Sequence, residues 1–227
     1  MIRAALPAAV LWDLDGTLVD TEPLWRRAEA GLVAQYGGQW TYEDGLQLVG
    51  TALPDYAQVL REHGVRLSVD EILDDMVVRV LEGQAGGPPW QPGARELVEA
   101  LRRAGVPQAL VTSSYRSLTV PVVEATGAFA VVVPGDEVAG AKPDPEPYLT
   151  AAARLGVDIA RCVVVEDSSK GVAAGLAAGA RVLMVESPAD VPEDPRLSRT
   201  DSLRLVGLDH LARIAAGEVL ELRGDPV

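Results

Sequence analysis

Five short runs of consecutive apolar residues punctuate this chain, and they limit its possible folds more than any other feature. Each run holds at least three adjacent apolar side chains, many of them β-branched, with no polar residue between them. The runs are AAVLW (8–12), PQALVT (107–112), AVVVP (130–134), RCVVVE (161–166) and RVLMVE (181–186). Uninterrupted apolar strands are typical of a parallel sheet that is covered on both faces. The pattern therefore predicts five buried strands of such a sheet.

Helical patterns alternate with these runs from about residue 92 onward. Three of the helical patterns end on a glycine, the residue preferred just past a helix C-terminus: Gly105, Gly156 and Gly179. Strands that alternate with helices indicate a doubly wound α/β sheet. The segment 187–201, SPADVPEDPRLSRTD, is polar, and we predict a surface loop there, before a last short strand and helix.

Residues 21–90 interrupt the alternation. They hold three helical patterns and no clear strand: EPLWRRAEAGLVAQYG, LPDYAQVLREHG and SVDEILDDMVVRVLEG. The Gly- and Pro-rich stretch GQAGGPPWQPG then returns the chain to the sheet. We therefore predict an α/β core domain of residues 1–19 and 91–227, with a small helical domain of residues 20–90 inserted after the first strand.

Composition excludes several classes of protein. The net charge is −13, from 20 basic and 33 acidic residues, which argues against a nucleic-acid partner. The apolar N-terminus is too short and too interrupted for a signal peptide, and no stretch reaches the roughly 18 apolar residues of a membrane helix. The single cysteine, Cys162, excludes an internal disulfide. We expect a cytoplasmic protein, monomeric or weakly homo-oligomeric, that does not bind membranes.

The first apolar run leads into a cluster of carboxylates. VLWDLDGTLVDTE (10–22) places Asp13, Asp15, Asp20 and Glu22 within ten positions. Side chains alternate along a strand, so Asp13 and Asp15 point to the same side. Like charges this close need a cation or hydrogen-bond donors among them. We assign Asp20 and Glu22 to the hinge and the first inserted helix, and Asp13 and Asp15 to a functional site.

Polar residues also follow other predicted strands. Thr112 and Ser113 end the second, Glu166 and Asp167 end the fourth, and Lys142 lies in the loop after the third. Ligands of open α/β sheets bind at the carboxyl ends of the strands, so these loops should converge.

Two kinds of ligand suit these residues. Carboxylates of Asp13, Asp15 and Asp167 form an oxygen-rich site for Mg²⁺, which binds through a few carboxylates plus a phosphate. The Lys142 ammonium, with the Thr112 hydroxyl and the Ser113 amide, suits a phosphoryl group.

Four motifs in order, DLDGTLVDTE, LVTSS, AKPDP and VVVEDSSKG, resemble those of the haloacid dehalogenase superfamily of phosphohydrolases. The resemblance covers nearly the whole chain and extends to the helical cap of the phosphatase and β-phosphoglucomutase branch. It implies that Asp13 is the nucleophile that forms an aspartyl-phosphate. Asp15 would act as acid and then base, with its backbone carbonyl on Mg²⁺.

The resemblance also assigns the other loops. Thr112 and Lys142 would hold phosphoryl oxygens, Lys142 would also neutralise Asp13, and Asp167 would complete the metal site. Glu166 either ligates the metal or orients a neighbour.

The inserted domain should select the substrate. The mutases of this branch carry a histidine where this chain has Trp25 and an arginine near the place of Leu53, so a phosphatase is favoured. The predicted activity is Mg²⁺-dependent hydrolysis of a small phosphorylated metabolite, such as a sugar phosphate. The candidate substrate contacts of the cap are Trp25, Leu48, Gly50, Thr51 and Arg79. Two alternatives remain, namely a phosphosugar mutase and a non-catalytic phospholigand-binding regulator, although a mere binder would not need the second carboxyl of the Asp13/Asp15 pair.

Overall fold

The chain divides into two compact units. The computed structural model describes residues 5–46, 48, 53–186 and 191–224. One unit comprises Met1–Asp20 and Trp90–Val227, and the other comprises Thr21–Pro89. We call them the sheet unit and the helical unit. The domains predicted from the sequence, residues 1–19 with 91–227 and residues 20–90, stay a prediction.

The sheet unit is built on a parallel sheet, in which seven strands are described. The strands are β1 (Ala9–Trp12), β2 (Gln108–Val111), β3 (Val131–Val133), β4 (Cys162–Glu166), β5 (Arg181–Val185), β6 (Leu197–Thr200) and β7 (Glu221–Leu222). Their order across the sheet is β3-β2-β1-β4-β5-β6-β7. The first strand therefore lies between β2 and β4, with which it pairs in parallel register.

Helices cover both faces of this sheet. They are α5 (Ala94–Arg103), α6 (Arg116–Thr126), α7 (Glu146–Leu155), α8 (Ser169–Ala177) and α9 (Leu208–Ala215). Alternate residues of β1 enter separate cores: Val10 and Trp12 pack with side chains of α5 and α9, whereas Ala9 and Leu11 pack with side chains of α7 and α8. The predicted doubly wound α/β fold is confirmed. None of the described helices is long and apolar enough to cross a membrane.

The C-terminal part of the prediction needs correction. Residues 197–200, assigned to a surface loop, form the buried strand β6, and β7 follows α9 instead of preceding it. The pattern of adjacent apolar residues did not predict this strand, because its sequence, LSRT, is mostly polar. Its Arg199 is buried because the guanidinium pairs with Glu186 at 3.1 Å. Residues 187–190 of the predicted loop lie outside the described part of the chain.

The strand β3 lies at one edge of the sheet. The backbone oxygen of Val132 accepts hydrogen bonds from the guanidinium groups of Arg116, at 3.4 Å, and Arg154, at 3.3 Å. Glu137 pairs with both arginines, so the two groups are held beside the strand.

The helical unit contains α1 (Glu22–Gln35), α2 (Tyr42–Leu46), α3 (Leu53–Glu62) and α4 (Val69–Gly83). Apolar residues of α1 and α4 are buried, among them Leu32 and Met76. The buried carboxylate of Glu29 accepts hydrogen bonds from the Tyr56 hydroxyl at 3.0 Å and the Trp40 indole at 2.8 Å. A capping box between Ser68 and Glu71 fixes the start of α4.

Within the sheet unit, the residues that flank the insertion are bonded to each other. Val19 forms an antiparallel bridge with Trp90. The Gln91 amide nitrogen donates to Leu18 O at 2.8 Å, and its side chain donates to Gly16 O at 3.1 Å. The loop after β1 is thus attached to the point where the chain re-enters the sheet.

A buried glutamine links β1, β2 and α5, and its loss should destabilise the sheet unit. Gln108 accepts a hydrogen bond from the Trp12 indole at 2.9 Å and donates to Val98 O at 3.0 Å. Gln108→Leu keeps the volume but leaves both partners unpaired, at a cost of about 1–3 kcal/mol for each. Urea unfolding followed by circular dichroism measures this loss. Gln35→Leu, at an exposed position of α1, is the control and should change stability by less than about 0.5 kcal/mol; equal stabilities for the two variants would contradict the prediction.

Candidate active site

The predicted site residues converge at the carboxyl edge of three adjacent strands. Asp13 directly follows β1, Thr112 follows β2, and Asp167 follows β4. The backbone at Asp13 is still bonded to β4, because its amide donates to Val165 O at 3.0 Å. Lys142 reaches the same edge from the loop after β3.

A buried ammonium group forms the centre of the site. Lys142 Nζ lies 2.6 Å from Asp13 Oδ1 and 2.6 Å from Glu166 Oε1, and it donates to Val111 O at 3.0 Å. Burial opposes the charged form of this lysine. The charges of Asp13 and Glu166 outweigh burial, so the pKa of Lys142 is raised well above its ordinary value. The lysine therefore stays protonated between two carboxylates.

The aspartates beside Lys142 are destabilised in their charged form. Burial raises the pKa of Asp13 well above its ordinary value, and the charge of Glu166 adds to this effect, while Lys142 opposes it. Burial followed by the charge of Glu166 raises the pKa of Asp167 to about 7. One ammonium does not balance three carboxylates, so the site favours a further cation.

Glu166 is engaged on both of its oxygens. Oε1 accepts hydrogen bonds from Lys142 and from the Tyr148 hydroxyl, the latter at 2.8 Å. Oε2 accepts bonds from the amides of Asp167 and Ser168 and from the Ser168 hydroxyl, at 3.0 to 3.2 Å. Sequence reasoning missed Tyr148, whose ring also lies under the Lys142 ammonium, 5.1 Å from Nζ to the ring centroid. In the sequence, the feature that links Tyr148 to the site is its position three residues after the AKPDP motif.

The donor chemistry of the site fits a hard divalent cation. Carboxylate oxygens of Asp13, Glu166 and Asp167 lie within 4.8 Å of one another. Oxygen ligands from a few carboxylates suit Mg²⁺. Asp167 is fixed in place by a hydrogen bond from the Thr17 hydroxyl at 3.1 Å. Gly16 allows this approach, since a Cβ there would lie 2.1 Å from Asp167 Oδ2, and its φ of +87° favours glycine.

Asp15 contacts the segment that follows β2. Its Oδ2 accepts a hydrogen bond of 2.6 Å from the Ser114 hydroxyl. Thr112 is buried, and its Oγ1 accepts a bond of 3.0 Å from the Ser114 amide. Ser113, the predicted amide donor, is exposed. Sequence reasoning missed Ser114, although it is the second serine of the LVTSS motif.

Of the residues predicted to contact substrate from the inserted domain, Trp25, Leu48 and Arg79 lie in the described part of the helical unit. Trp25 meets the Tyr56 ring edge-on, with 5.6 Å between centroids. Leu48 is buried, and Arg79 pairs with Asp75 one turn earlier on α4. Gly50 and Thr51 lie outside the described residues.

Comparison with known proteins identifies the family. The family model of the haloacid dehalogenase-like hydrolases matches residues 7–179 of this sequence, and the chain therefore belongs to this family. This confirms the resemblance drawn from the four motifs and the prediction of a hydrolase.

Individual relatives are phosphatases or related proteins. The chain is 35% identical over 201 residues to hexitol phosphatase A of Escherichia coli, covering 84% of this chain and 87% of the relative. It is also 35% identical over 187 residues to a bifunctional riboflavin kinase/FMN phosphatase of Arabidopsis thaliana. That match covers 80% of this chain but only 49% of the relative, so the chain spans about half the length of that protein. A structure of CbbY from Rhodobacter sphaeroides with xylulose-1,5-bisphosphate superposes with a TM-score of 0.80, at 28% identity, covering 91% of this chain and 99% of that one.

The tight contact between Gly171 and Glu166 gives a test of the buried charge cluster. A Cβ at Gly171 would lie 1.6 Å from Glu166 Oε1, so Gly171→Ala must displace the carboxylate from its donors. Disrupting a buried ion pair costs about 3–5 kcal/mol, and we expect a loss of this order in the free energy of unfolding. The control is Gly31→Ala in α1, where the nearest atom is the end of the flexible Arg79 side chain at 3.3 Å. Similar unfolding midpoints for both variants would show that Glu166 is not held as described.

Proposed function

We propose that this chain is a Mg²⁺-dependent phosphatase that hydrolyses a small phosphorylated metabolite through a phosphate ester of Asp13. The observation that carries the proposal is the buried contact between Asp13 and Lys142, 2.6 Å long, at the carboxyl end of β1. A carboxylate held against an ammonium beside further donors can attack an anionic phosphoryl group, because the positive charge offsets the repulsion.

The reaction divides into two displacements. An Asp13 oxygen attacks phosphorus, the bond from phosphorus to the alcohol oxygen breaks, and Asp15 gives its proton to that oxygen. Asp15 then takes a proton from water, whose oxygen attacks phosphorus and breaks the bond to Asp13, so that inorganic phosphate leaves. Splitting one difficult step into two easier ones is the advantage of a covalent intermediate.

The other residues bind and orient the phosphoryl group. The Thr112 hydroxyl and the Ser113 amide would donate to its oxygens, and Lys142 would donate the N–H that contacts Asp13 before substrate binds. Asp13, the Asp15 backbone carbonyl and Asp167 would hold Mg²⁺, which when bound neutralises charge on the phosphoryl group and the carboxylates.

For Glu166 we propose orientation of Lys142 in place of metal ligation. Both of its oxygens already accept hydrogen bonds, and its contact with Lys142 Nζ is 2.6 Å long.

A sugar phosphate or similar phosphomonoester is the proposed substrate class. Relatives named hexitol phosphatase and FMN phosphatase support it. Substrate contacts by Trp25, Leu48, Gly50, Thr51 and Arg79 remain part of the proposal, as does a cytoplasmic setting. Trp25 in place of the histidine of the mutases favours water as the acceptor of the phosphoryl group.

A panel of phosphorylated metabolites, assayed for inorganic phosphate with Mg²⁺ present, tests the proposed function. We expect steady phosphate release from at least one phosphomonoester, and loss of turnover in Asp13→Asn, which removes the nucleophile but keeps the shape of the side chain. Circular dichroism of the variant controls for folding. Undiminished release of phosphate by Asp13→Asn would contradict the role of Asp13 as the nucleophile. Conversion of a hexose 1-phosphate to its 6-phosphate without phosphate release would indicate a mutase, and binding without turnover would indicate a regulator.

Removal of metal should stop the reaction. Three carboxylates lie together and the Lys142 ammonium pairs with two of them, so without a divalent cation the phosphoryl group would meet uncompensated negative charge. We expect chelation with EDTA to reduce phosphate release at least about 100-fold, in line with several kcal/mol of charge stabilisation by a metal. Activity should return on adding Mg²⁺ in excess of the chelator. Full activity in EDTA after extensive dialysis would contradict a metal-dependent mechanism.

A further inference from the structure

We propose that Ser114 is a positioning residue that holds the carboxyl group of Asp15 in the orientation needed for proton transfer. The inference rests on the proposed function, in which Asp15 is the acid and base. The Ser114 hydroxyl donates to Asp15 Oδ2 at 2.6 Å, across 99 positions of sequence. Ser114 is buried, so water competes little for this bond.

Ser114 can act as a fixed support because its own backbone is held at both ends. Its amide donates to Thr112 Oγ1 at 3.0 Å, and its carbonyl oxygen accepts from the Gly135 amide at 2.9 Å. These bonds attach the residue to the end of β2 and to the turn after β3. The hydroxyl therefore reaches Asp15 from a rigid segment of the sheet unit.

The contact distinguishes the two oxygens of the carboxyl group. In a protonated carboxyl group the carbonyl oxygen is a better acceptor than the hydroxyl oxygen, so the bond donated to Oδ2 favours the proton on Oδ1, from which it passes to the leaving alcohol. The same contact restricts rotation of the carboxyl group. Losing this bond removes one restraint on the Asp15 carboxyl group and keeps its chemistry, so the proton should be delivered less efficiently.

The link to Thr112 does not remove that residue from phosphate binding. A hydroxyl has one donor and two lone pairs, so Thr112 Oγ1 can accept from Ser114 and still donate to a phosphoryl oxygen. Loss of the Ser114 hydroxyl leaves this backbone contact in place. Ser114→Ala therefore affects Asp15 and not the phosphate donors, and the change should appear in proton transfer.

The dependence of the rate on the leaving group separates these roles. Benzyl phosphate releases an alkoxide that must be protonated, whereas 4-nitrophenyl phosphate, of similar size, releases a stable phenolate. The ratio kcat/KM reports the first displacement, in which Asp15 is the acid. We expect Ser114→Ala to lower kcat/KM for benzyl phosphate about 10- to 100-fold, part of the 10²–10⁴-fold typical of general acid catalysis, and for 4-nitrophenyl phosphate less than about 3-fold.

Three further variants complete the experiment. Asp15→Asn should show the same selectivity in larger degree. Ser117→Ala, at an exposed serine of α6, is the control and should leave both ratios unchanged. Ser114→Cys keeps the size with a weaker donor and should be intermediate, which covers the case in which the alanine variant does not fold.

Equal losses with the two substrates, or no loss with either, would overturn the role of Ser114 while leaving the phosphatase in place. Absence of turnover by the unaltered protein on every phosphomonoester would overturn the proposed function, and with it this inference.

Discussion

The candidate site depends on one ammonium group inside the protein. Removing a carboxylate or an ammonium from water costs several kcal/mol, and a buried ion pair repays this only when the remaining donors and acceptors are also used. Lys142 meets this condition, since its Nζ contacts Asp13, Glu166 and a backbone oxygen. The carboxylate of Glu166 meets it too, through Tyr148 and Ser168. The cluster is well bonded but remains negative overall, which is the electrostatic condition for holding a metal beside an anionic substrate.

Parallel strand order brings these groups together. Because β1 lies between β2 and β4, three loops from distant parts of the sequence begin side by side. The apolar residues of these strands fix the register, and the first polar residue after each strand then falls at the same edge. Helix α7 starts soon after Lys142 and supplies Tyr148 to the core behind the site. The cores on the two faces of the sheet therefore determine the positions of the reacting groups as well as the stability of the unit.

The sequence was sufficient for the strands that contain at least three adjacent apolar residues and for the loops that carry charge. Five strands, the doubly wound fold and the family follow from these patterns. The pattern did not predict β6, because Arg199 is polar and its buried ion pair with Glu186 cannot be read from the local sequence. Ser114 and Tyr148 were not predicted for a related reason. Their roles come from hydrogen bonds to Asp15 and Glu166, which are 99 and 18 positions away, and no local pattern encodes such contacts. The position of Glu166 at the end of a predicted strand places it at the site. Only the hydrogen-bond donors around its two carboxylate oxygens show how it is held there.

The pair of arginines beside β3 has a consequence for self-association. An edge strand made of three valines offers unpaired backbone groups and apolar side chains, which is the surface on which strands of other molecules add. Here the outward carbonyl of Val132 is occupied by Arg116 and Arg154, and Glu137 anchors both. An incoming strand would have to displace two charged groups from the carbonyl oxygen of Val132. Charged side chains thus protect this border of the sheet from intermolecular β-pairing, a role that is independent of catalysis.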